Sequence, residues 1–191
     1  SRTITIASNY DTGPGGTISS SFSVTAEQFD LDRSNNASLS SSILRGPAVY
    51  EATTESQLRS AIAQVNNAPD AEFTPIIFVD GMDIILSGGP LTISKSVVIT
   101  TESGQLVYIS GGGASSIFHF TGDAQQSYVL ENLRLFNGMG DNNSFSGGGA
   151  IYMPGGGSLT ILNSRIFDNT ANAGVGGAIY AEDATLVLRD V

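Results

Sequence analysis

The pattern of apolar residues divides the chain into a polar N-terminal part and a strongly patterned remainder. The first 50 residues are rich in Ser and Asn with scattered apolar positions, and only the alternation in RTITIA, residues 2–7, indicates a strand. We therefore expect residues 1–50 to form a partly ordered arm, flexible over residues 34–42. Residues 51–191 are predicted to form a separate domain.

One amphipathic helix is predicted at the start of that domain. Thr54 and Gln57 fit a capping box, in which the Thr side chain accepts a first-turn N–H and the Gln side chain reaches back. Four apolar residues then follow at helical spacing: Leu58, Ala61, Ile62 and Val65. Asn66, Asn67 and Pro69 end the pattern, which predicts a helix over residues 55–66.

After the helix, short apolar runs alternate with glycine-rich or asparagine-rich bends. The predicted strands are residues 75–79, 83–86, 91–93, 97–100, 106–109, 117–120, 128–136, 150–153, 159–166, 178–181 and 185–191. No second helical pattern of comparable length follows, so this part of the chain is predicted to be all-β.

Two sequence markers recur along these runs. The motif GGAIY occurs twice, 28 residues apart, and its first four positions are Gly148, Gly149, Ala150, Ile151 and then Gly176, Gly177, Ala178, Ile179. The second marker is an Asn or Asp within an apolar run, at Asn132, Asn163 and Asp190, with spacings of 31 and 27 residues. Two independent markers with a similar period indicate one repeated structural unit.

A unit of this length cannot bury both faces of its own strands, whereas stacking on a neighbouring unit does so. We therefore predict an all-β fold, a right-handed parallel β-helix (solenoid) with an N-terminal capping amphipathic helix and about four coils. The glycines are expected at the corners, and the Asn and Asp markers are expected to form a ladder of side chains from coil to coil. The helix is expected to cover the first coil. No comparable cap precedes Val191, and we expect a longer solenoid truncated there.

The composition argues against several kinds of partner and of metal site. Eighteen acidic and eight basic residues give a net charge of −10, which argues against nucleic acid and anionic membranes as partners. The chain lacks cysteine and has one histidine, so only an oxygen-bound ion such as calcium remains as a candidate metal, and no cofactor is expected. No apolar run approaches the roughly 20 residues of a membrane span, so no membrane insertion is expected. A cysteine-free, acidic, Gly- and Ser-rich chain is typical of exported bacterial surface proteins.

The segment LRSAIAQVNN followed by IIFV, then PLTISKSVVIT and the two GGAIY units, resembles a known family. It is similar to the start of a pectate-lyase-like right-handed β-helix, and especially to the polymorphic outer membrane protein repeats of chlamydial autotransporter passengers. The GGA half of that repeat is present, whereas the F-x-x-N half has Ile166 in place of Phe in its nearest match, residues 166–169. The resemblance covers residues 54–191. It implies an exported cell-surface passenger that binds a host cell or another protein.

Arg134, Arg165 and Asp168 are the candidate catalytic residues. Each arginine follows a marker Asn by two residues, so both are expected on the same outer face of successive coils, where their like charges would repel and could mark an anion site. β-helix enzymes that cleave glycans need clustered carboxylates or a calcium ion with a basic residue. We favour the simpler interpretation that both arginines are solvated and paired with Asp168 or Glu131.

The other candidate sites have simpler interpretations too. Asp80 and Asp83 could hold calcium, but their sequence VDGMD fits a turn. Tyr152 and Tyr180 occupy equivalent repeat positions and could bind sugar rings or a protein, although a buried aromatic stack is favoured. His119 lies between two phenylalanines and is expected to face outward. The glycine clusters at residues 111–113, 147–149 and 155–157 are expected to be corners rather than phosphate loops.

The sequence is compatible with three functions. The first is a secreted or surface-anchored bacterial passenger that binds a protein or glycan receptor. The second is the N-terminal part of a β-helical polysaccharide lyase or glycoside hydrolase. The third is a homotypic assembly module that self-associates through the open end of the solenoid.

Overall fold

The computed structural model describes residues 47–69, 73–80, 83–140, 147–172 and 176–191, together with three short strands nearer the N-terminus. The chain divides into two compact units, Ser1–Ala48 and Val49–Val191. In the first unit, β1 (Ala7–Asn9), β2 (Ser19–Ser23) and β3 (Ala37–Ser38) form an antiparallel sheet in the order β1-β2-β3. Most of the predicted strand at 2–7 and of the flexible segment at 34–42 lies outside the described residues.

The second unit contains one helix and sixteen short strands among its described residues. In chain order they are β4 (Val49–Ala52), α1 (Glu55–Asn67), β5 (Ile76–Val79), β6 (Ile84–Ile85), β7 (Leu91–Ile93), β8 (Val97–Thr100), β9 (Val107–Ser110), β10 (Phe118–Phe120), β11 (Ser127–Glu131), β12 (Leu133–Phe136), β13 (Met139–Gly140), β14 (Ile151–Met153), β15 (Gly157–Leu162), β16 (Arg165–Phe167), β17 (Thr170–Ala171), β18 (Ile179–Ala181) and β19 (Ala184–Arg189).

These strands form the predicted parallel β-solenoid, with about five turns rather than the predicted four, because β4, which precedes the helix, also pairs with β5. One sheet has six strands in the order β4-β5-β8-β11-β15-β19, and two others have four each, β6-β9-β12-β16 and β7-β10-β14-β18. A two-stranded ladder joins β13 to β17. Every pairing in this unit is parallel, because each coil places its strands directly beside those of the next coil.

Alternation of inward and outward side chains builds the core. In the six-stranded sheet Ile99, Leu130 and Ile161 are paired in register and completely buried. In the sheet containing β10, Phe118 and Phe120 are buried while His119 between them faces outward, as the sequence predicted. Side chains alternate between inward and outward along each strand, and the strands of successive coils are in register. Inward apolar residues therefore form continuous columns.

The marker Asn and Asp residues lie at sharp bends of the chain. Asn132, Asn163 and Asp190 have φ values of 59°, 45° and 53°, in the left-handed region that Asn and Asp tolerate better than most residues. The first two bends split the predicted runs 128–136 and 159–166 into two strands each. The Asn132 N–H donates to Leu162 O at 3.2 Å, and the Asn163 N–H donates to Arg189 O at 3.1 Å. The ladder is thus one of backbone conformation and backbone hydrogen bonds, and not the ladder of side chains that was predicted, since no side-chain hydrogen bond joins these markers among the described residues.

The GGA motif places two backbones in direct contact. Ile151 is paired with Ile179, and the N–H groups of Gly148 and Gly149 donate to Gly176 O and Gly177 O at 2.9 and 3.1 Å. Gly148 and Gly176 have φ values of +83° and +85°, which glycine adopts without strain.

An earlier copy of the same unit was missed in the sequence. Phe118 is paired with Ile151 and His119 with Tyr152, so the segment SSIFH, residues 115–119, aligns with GGAIY. Ser116 holds this copy to the next, since its hydroxyl donates to Gly148 O at 2.8 Å. Serines in place of the two glycines hid the repeat.

The helix and its capping box are confirmed with small changes. The Thr54 side chain accepts from the Gln57 N–H at 3.3 Å, while Gln57 Oε1 accepts from the N–H of Thr53 at 2.9 Å, one residue earlier than expected. The helix continues to Asn67, and its four predicted apolar residues are all buried. It packs against β4, β5 and β7, and so covers the first coil as predicted.

Polar side chains of α1 also complete the hydrogen bonds of the uncovered backbone in that coil. Asn66 donates to Thr92 O and accepts from the Ser94 N–H, both at 2.9 Å, along the outer edge of β7. Glu55 accepts from the N–H groups of Ser87 and Gly88. The cap therefore closes a strand edge that would otherwise pair with another chain.

Candidate functional site

Five outward side chains from three neighbouring strands form a continuous surface that we call the arginine face. They are Tyr108 of β9, Arg134 and Phe136 of β12, and Arg165 and Phe167 of β16. Alternation sends Leu133 and Leu135 into the core, which leaves Arg134 and Phe136 on the outside. The register pairs Arg134 with both Tyr108 and Arg165, and Phe136 with Phe167.

The two arginines are direct neighbours across the sheet, as their spacing predicted. Arg134 is held by Tyr108, because its Nη1 donates to the Tyr108 hydroxyl and its guanidinium carbon lies 4.9 Å from the centre of the Tyr108 ring. Its Nε is buried and has no hydrogen-bond partner. A cation–π contact of this kind fixes the guanidinium group without neutralising its charge.

The pairing of these arginines with Asp168 or Glu131, which we favoured from the sequence, is absent. Within the described residues the one salt bridge joins Arg59 to Glu55, at 2.9 Å. Glu131 instead accepts a hydrogen bond from the Thr100 hydroxyl at 3.0 Å, and Asp168 is an exposed bend with a φ of 51°. The structure therefore brings Arg134 and Arg165 together and leaves both charges unneutralised by a carboxylate of the described chain.

A pair of phenylalanines lies beside the two arginines. The rings of Phe136 and Phe167 are nearly parallel, with centres 5.5 Å apart and an interplanar angle of 7°. Phe167 is 37% exposed, a large fraction for a phenylalanine. The sequence analysis missed these two residues, although each follows an arginine by two positions and so had to share its face.

A second outward column consists of His119, Tyr152 and Tyr180, which are paired in register. The His119 and Tyr152 rings are 4.9 Å apart, and the Tyr152 and Tyr180 rings are 5.5 Å apart. All three side chains are half-buried. The two tyrosine rings are thus in contact, tilted by 32°, and they lie on the outer face rather than in the core as expected.

The side chains of this column favour their uncharged forms. Burial lowers the pKa of His119, which favours the uncharged imidazole, and a hydrogen bond to Glu182 at 2.8 Å raises the pKa of Tyr180. A cavity of about 330 Å³ lies beside the column, with Ser115, Ser116 and Met139 among its lining residues. Tyr128, by contrast, is completely buried against Phe120 and belongs to the core.

The candidate calcium residues are engaged in the fold or exposed. Asp80 accepts from the Glu102 N–H at 3.3 Å and from the Ser103 hydroxyl at 3.4 Å, and Asp83 is exposed. The two residues between them lie outside the described part of the chain. Over the described residues, no three His, Cys, Asp or Glu side chains are grouped as metal ligands.

Two further expectations concern glycines and membranes. Gly112, Gly113, Gly156 and Gly157 have positive φ values, as expected of corners. The one described helix is too short and too polar to span a membrane.

Comparison with protein-family models, curated proteins and solved structures gave no match. The parallel solenoid is consistent with a β-helix fold, and the finer likeness to surface-protein repeats remains an interpretation of the sequence.

Proposed function

We propose that this chain is part of a secreted or cell-surface bacterial scaffold that binds a protein or glycan receptor through the outer faces of its coils. The observation that carries the proposal is the arginine face. It presents two adjacent cations beside an exposed aromatic pair, and no carboxylate among the described residues is bonded to either arginine. Exposed arginine and aromatic residues are enriched at the centres of binding surfaces.

The solenoid supports this role mechanically. Side chains at equivalent positions of successive coils are held at the strand spacing of about 4.8 Å, so the outer surface is a rigid lattice of fixed groups. A rigid lattice loses little conformational entropy when it binds. The resemblance of the GGAIY repeats to autotransporter passengers, together with the acidic cysteine-free composition, favours the bacterial cell surface as the location.

A cell-adhesion assay with purified protein tests the proposal. Fluorescently labelled chain should bind to cultured animal cells in a saturable way, and the double variant Arg134→Ser/Arg165→Ser should bind much less. The matched control is Thr160→Ala, which alters an outward position of the six-stranded sheet. Equal binding by all three proteins would exclude the arginine face, and absence of saturable binding to any cell type would overturn the scaffold function.

A further inference from the structure

We infer that Arg134 and Arg165 form a binding site for a single carboxylate-bearing sugar at the end of an otherwise neutral glycan. This inference rests on the proposed function, since it names the ligand of the same surface. The first observation is the unbalanced charge. Like charges directly opposite each other in a sheet are destabilising, and here they are neighbours in a protein that has only eight basic residues against eighteen acidic ones.

The geometry fits an oxyanion between the two side chains. Strands in a sheet are about 4.8 Å apart, and two arginine side chains that start at this spacing are long enough to reach the two oxygens of one carboxylate. Arg134 is already fixed over the Tyr108 ring, which reduces the conformational freedom that binding would have to restrict. Arg165 is exposed and has no hydrogen bond or ion pair within the described residues. A bound carboxylate would relieve the repulsion between them.

The neighbouring rings indicate what the carboxylate is attached to. Phe136 and Phe167 follow the arginines by two residues along each strand, a separation of about 6.6–6.8 Å. A sugar ring that carries a carboxylate presents C–H groups at this distance from its charge, and these can pack on the exposed edge of the phenylalanine pair. An apolar surface beside a few fixed polar groups is typical of small-ligand sites.

The net charge of the chain favours a sparsely charged glycan over dense polyanions, and the pairing of β12 limits how a peptide could bind. The net charge of −10 repels dense polyanions, which need many cations along their length. An extended peptide would use backbone hydrogen bonds to a free strand edge, and β12 is already paired with β9 on one side and β16 on the other. Among the described strands β16, which carries Arg165, is the edge of this sheet, so the acidic peptide is the competing ligand in the test below. Recognition at Arg134 must therefore come from side chains, as for a sugar carboxylate.

Isothermal titration of the full 191-residue chain with five probes tests the inference. Sialyllactose carries one terminal carboxylate, lactose is its neutral counterpart, polygalacturonate and heparin are dense polyanions, and a glutamate-rich peptide represents a protein ligand. We expect sialyllactose to bind and lactose to show no binding. Arg165→Ala should weaken sialyllactose binding by about tenfold or more, because a charged hydrogen-bonded pair is lost.

Two control variants separate geometry from charge. Arg165→Lys keeps the charge but loses the planar fork, so it should also bind more weakly than wild type. Arg189→Ala removes the same charge from the adjacent six-stranded sheet and should leave the affinity within about twofold, because an exposed charge outside the site contributes little. Circular dichroism spectra identical to that of wild type would show that each variant is folded.

Three results would overturn the inference. They are equal affinity for lactose and sialyllactose, preferential binding of a polyanion or the acidic peptide, and an Arg189→Ala loss as large as that of Arg165→Ala. These three results concern only the identity of the ligand. The scaffold function is retained, with a different ligand, if the labelled chain still adheres to cells through the arginine face. If the wild-type chain shows no saturable binding to cells, the scaffold function itself is overturned.

Discussion

Gly149 and Gly177 occupy the same position of the repeat but differ in what surrounds them. A Cβ at Gly149 would lie 2.4 Å from Gly177 O and 2.6 Å from the Thr170 nitrogen, inside the limit of normal contacts. At Gly177 the nearest atom to a Cβ would be Asn169 O, at 3.8 Å, an ordinary contact. Neither residue has a positive φ, so the difference between them lies in the approach of neighbouring backbone alone.

We predict that Gly149→Ala lowers the free energy of unfolding by about 1–3 kcal/mol, because rigid backbone must move to admit the methyl group. Gly177→Ala in the same 191-residue chain should change it by less than about 0.5 kcal/mol. Urea denaturation followed by circular dichroism measures both. Equal losses in the two variants would mean that glycine occupies these positions because of intrinsic backbone preference rather than because of coil-to-coil contact.

At the scale of single elements, the junction between α1 and the first coil is organised by Glu55. Its carboxylate accepts hydrogen bonds from the N–H groups of Ser87 and Gly88, the Ser87 hydroxyl and Arg59. Burial raises the pKa of Glu55, but these hydrogen bonds outweigh burial and lower it from 4.5 to about 2. Because the side chain is only 20% exposed, water screens these bonds less than it would at an open surface.

The pH dependence of stability should report this junction. A carboxyl group with a folded pKa below its unfolded value stabilises the protein above about pH 4.5, and this contribution is lost as the pH falls towards 2. We predict that Glu55→Gln lowers the free energy of unfolding by about 1–2 kcal/mol at pH 7 and that the difference from wild type shrinks at low pH. Urea denaturation at pH 7, 4 and 2.5 measures it.

Glu51→Gln is the matched control for this prediction. Glu51 is an exposed glutamate on β4, in the same coil. Its replacement should have little effect at any of the three pH values. A deficit in Glu55→Gln that stays constant from pH 7 to 2.5 would contradict the assignment of the carboxylate as the cause.

For the whole molecule, stability should be distributed along the solenoid axis rather than concentrated at one centre. Each coil of a solenoid contacts only its neighbours, so an inward side chain is stabilised by the coils on either side. Leu130, Ile161 and Leu188 form one inward column across β11, β15 and β19. Leu130 and Ile161 are completely buried, whereas Leu188 is 49% exposed.

We predict that Leu130→Ala lowers the free energy of unfolding by about 2–5 kcal/mol, the usual cost of removing a buried leucine side chain. Leu188→Ala, made in the same column of the 191-residue chain, should cost less than half as much, because its side chain already faces solvent. Chemical denaturation of the two variants provides the comparison. Similar costs at both positions would contradict a nearest-neighbour distribution of stability.

Local alternation made the strands and the helix predictable. Whether a side chain faces inward depends on a period of two or 3.6 residues, which a short stretch of sequence displays by itself. For that reason the burial of Phe118 and Phe120 and the apolar face of α1 could be predicted. β4 was missed because four residues, VYEA, carry no repeat marker and pair with β5 only across the intervening helix.

The solenoid class, the capping helix and the common face of Arg134 and Arg165 were therefore predictable from residue order alone, since equal repeat positions follow from the period. The contact between Tyr108 and Arg134, which lie 26 residues apart, became visible only in the folded chain. The same holds for the finding that no carboxylate of the described residues forms an ion pair with either arginine. Coils differ in length, so which residues meet across two of them depends on the register of the stacked backbones. Register is a property of the packed coils and cannot be predicted from one strand.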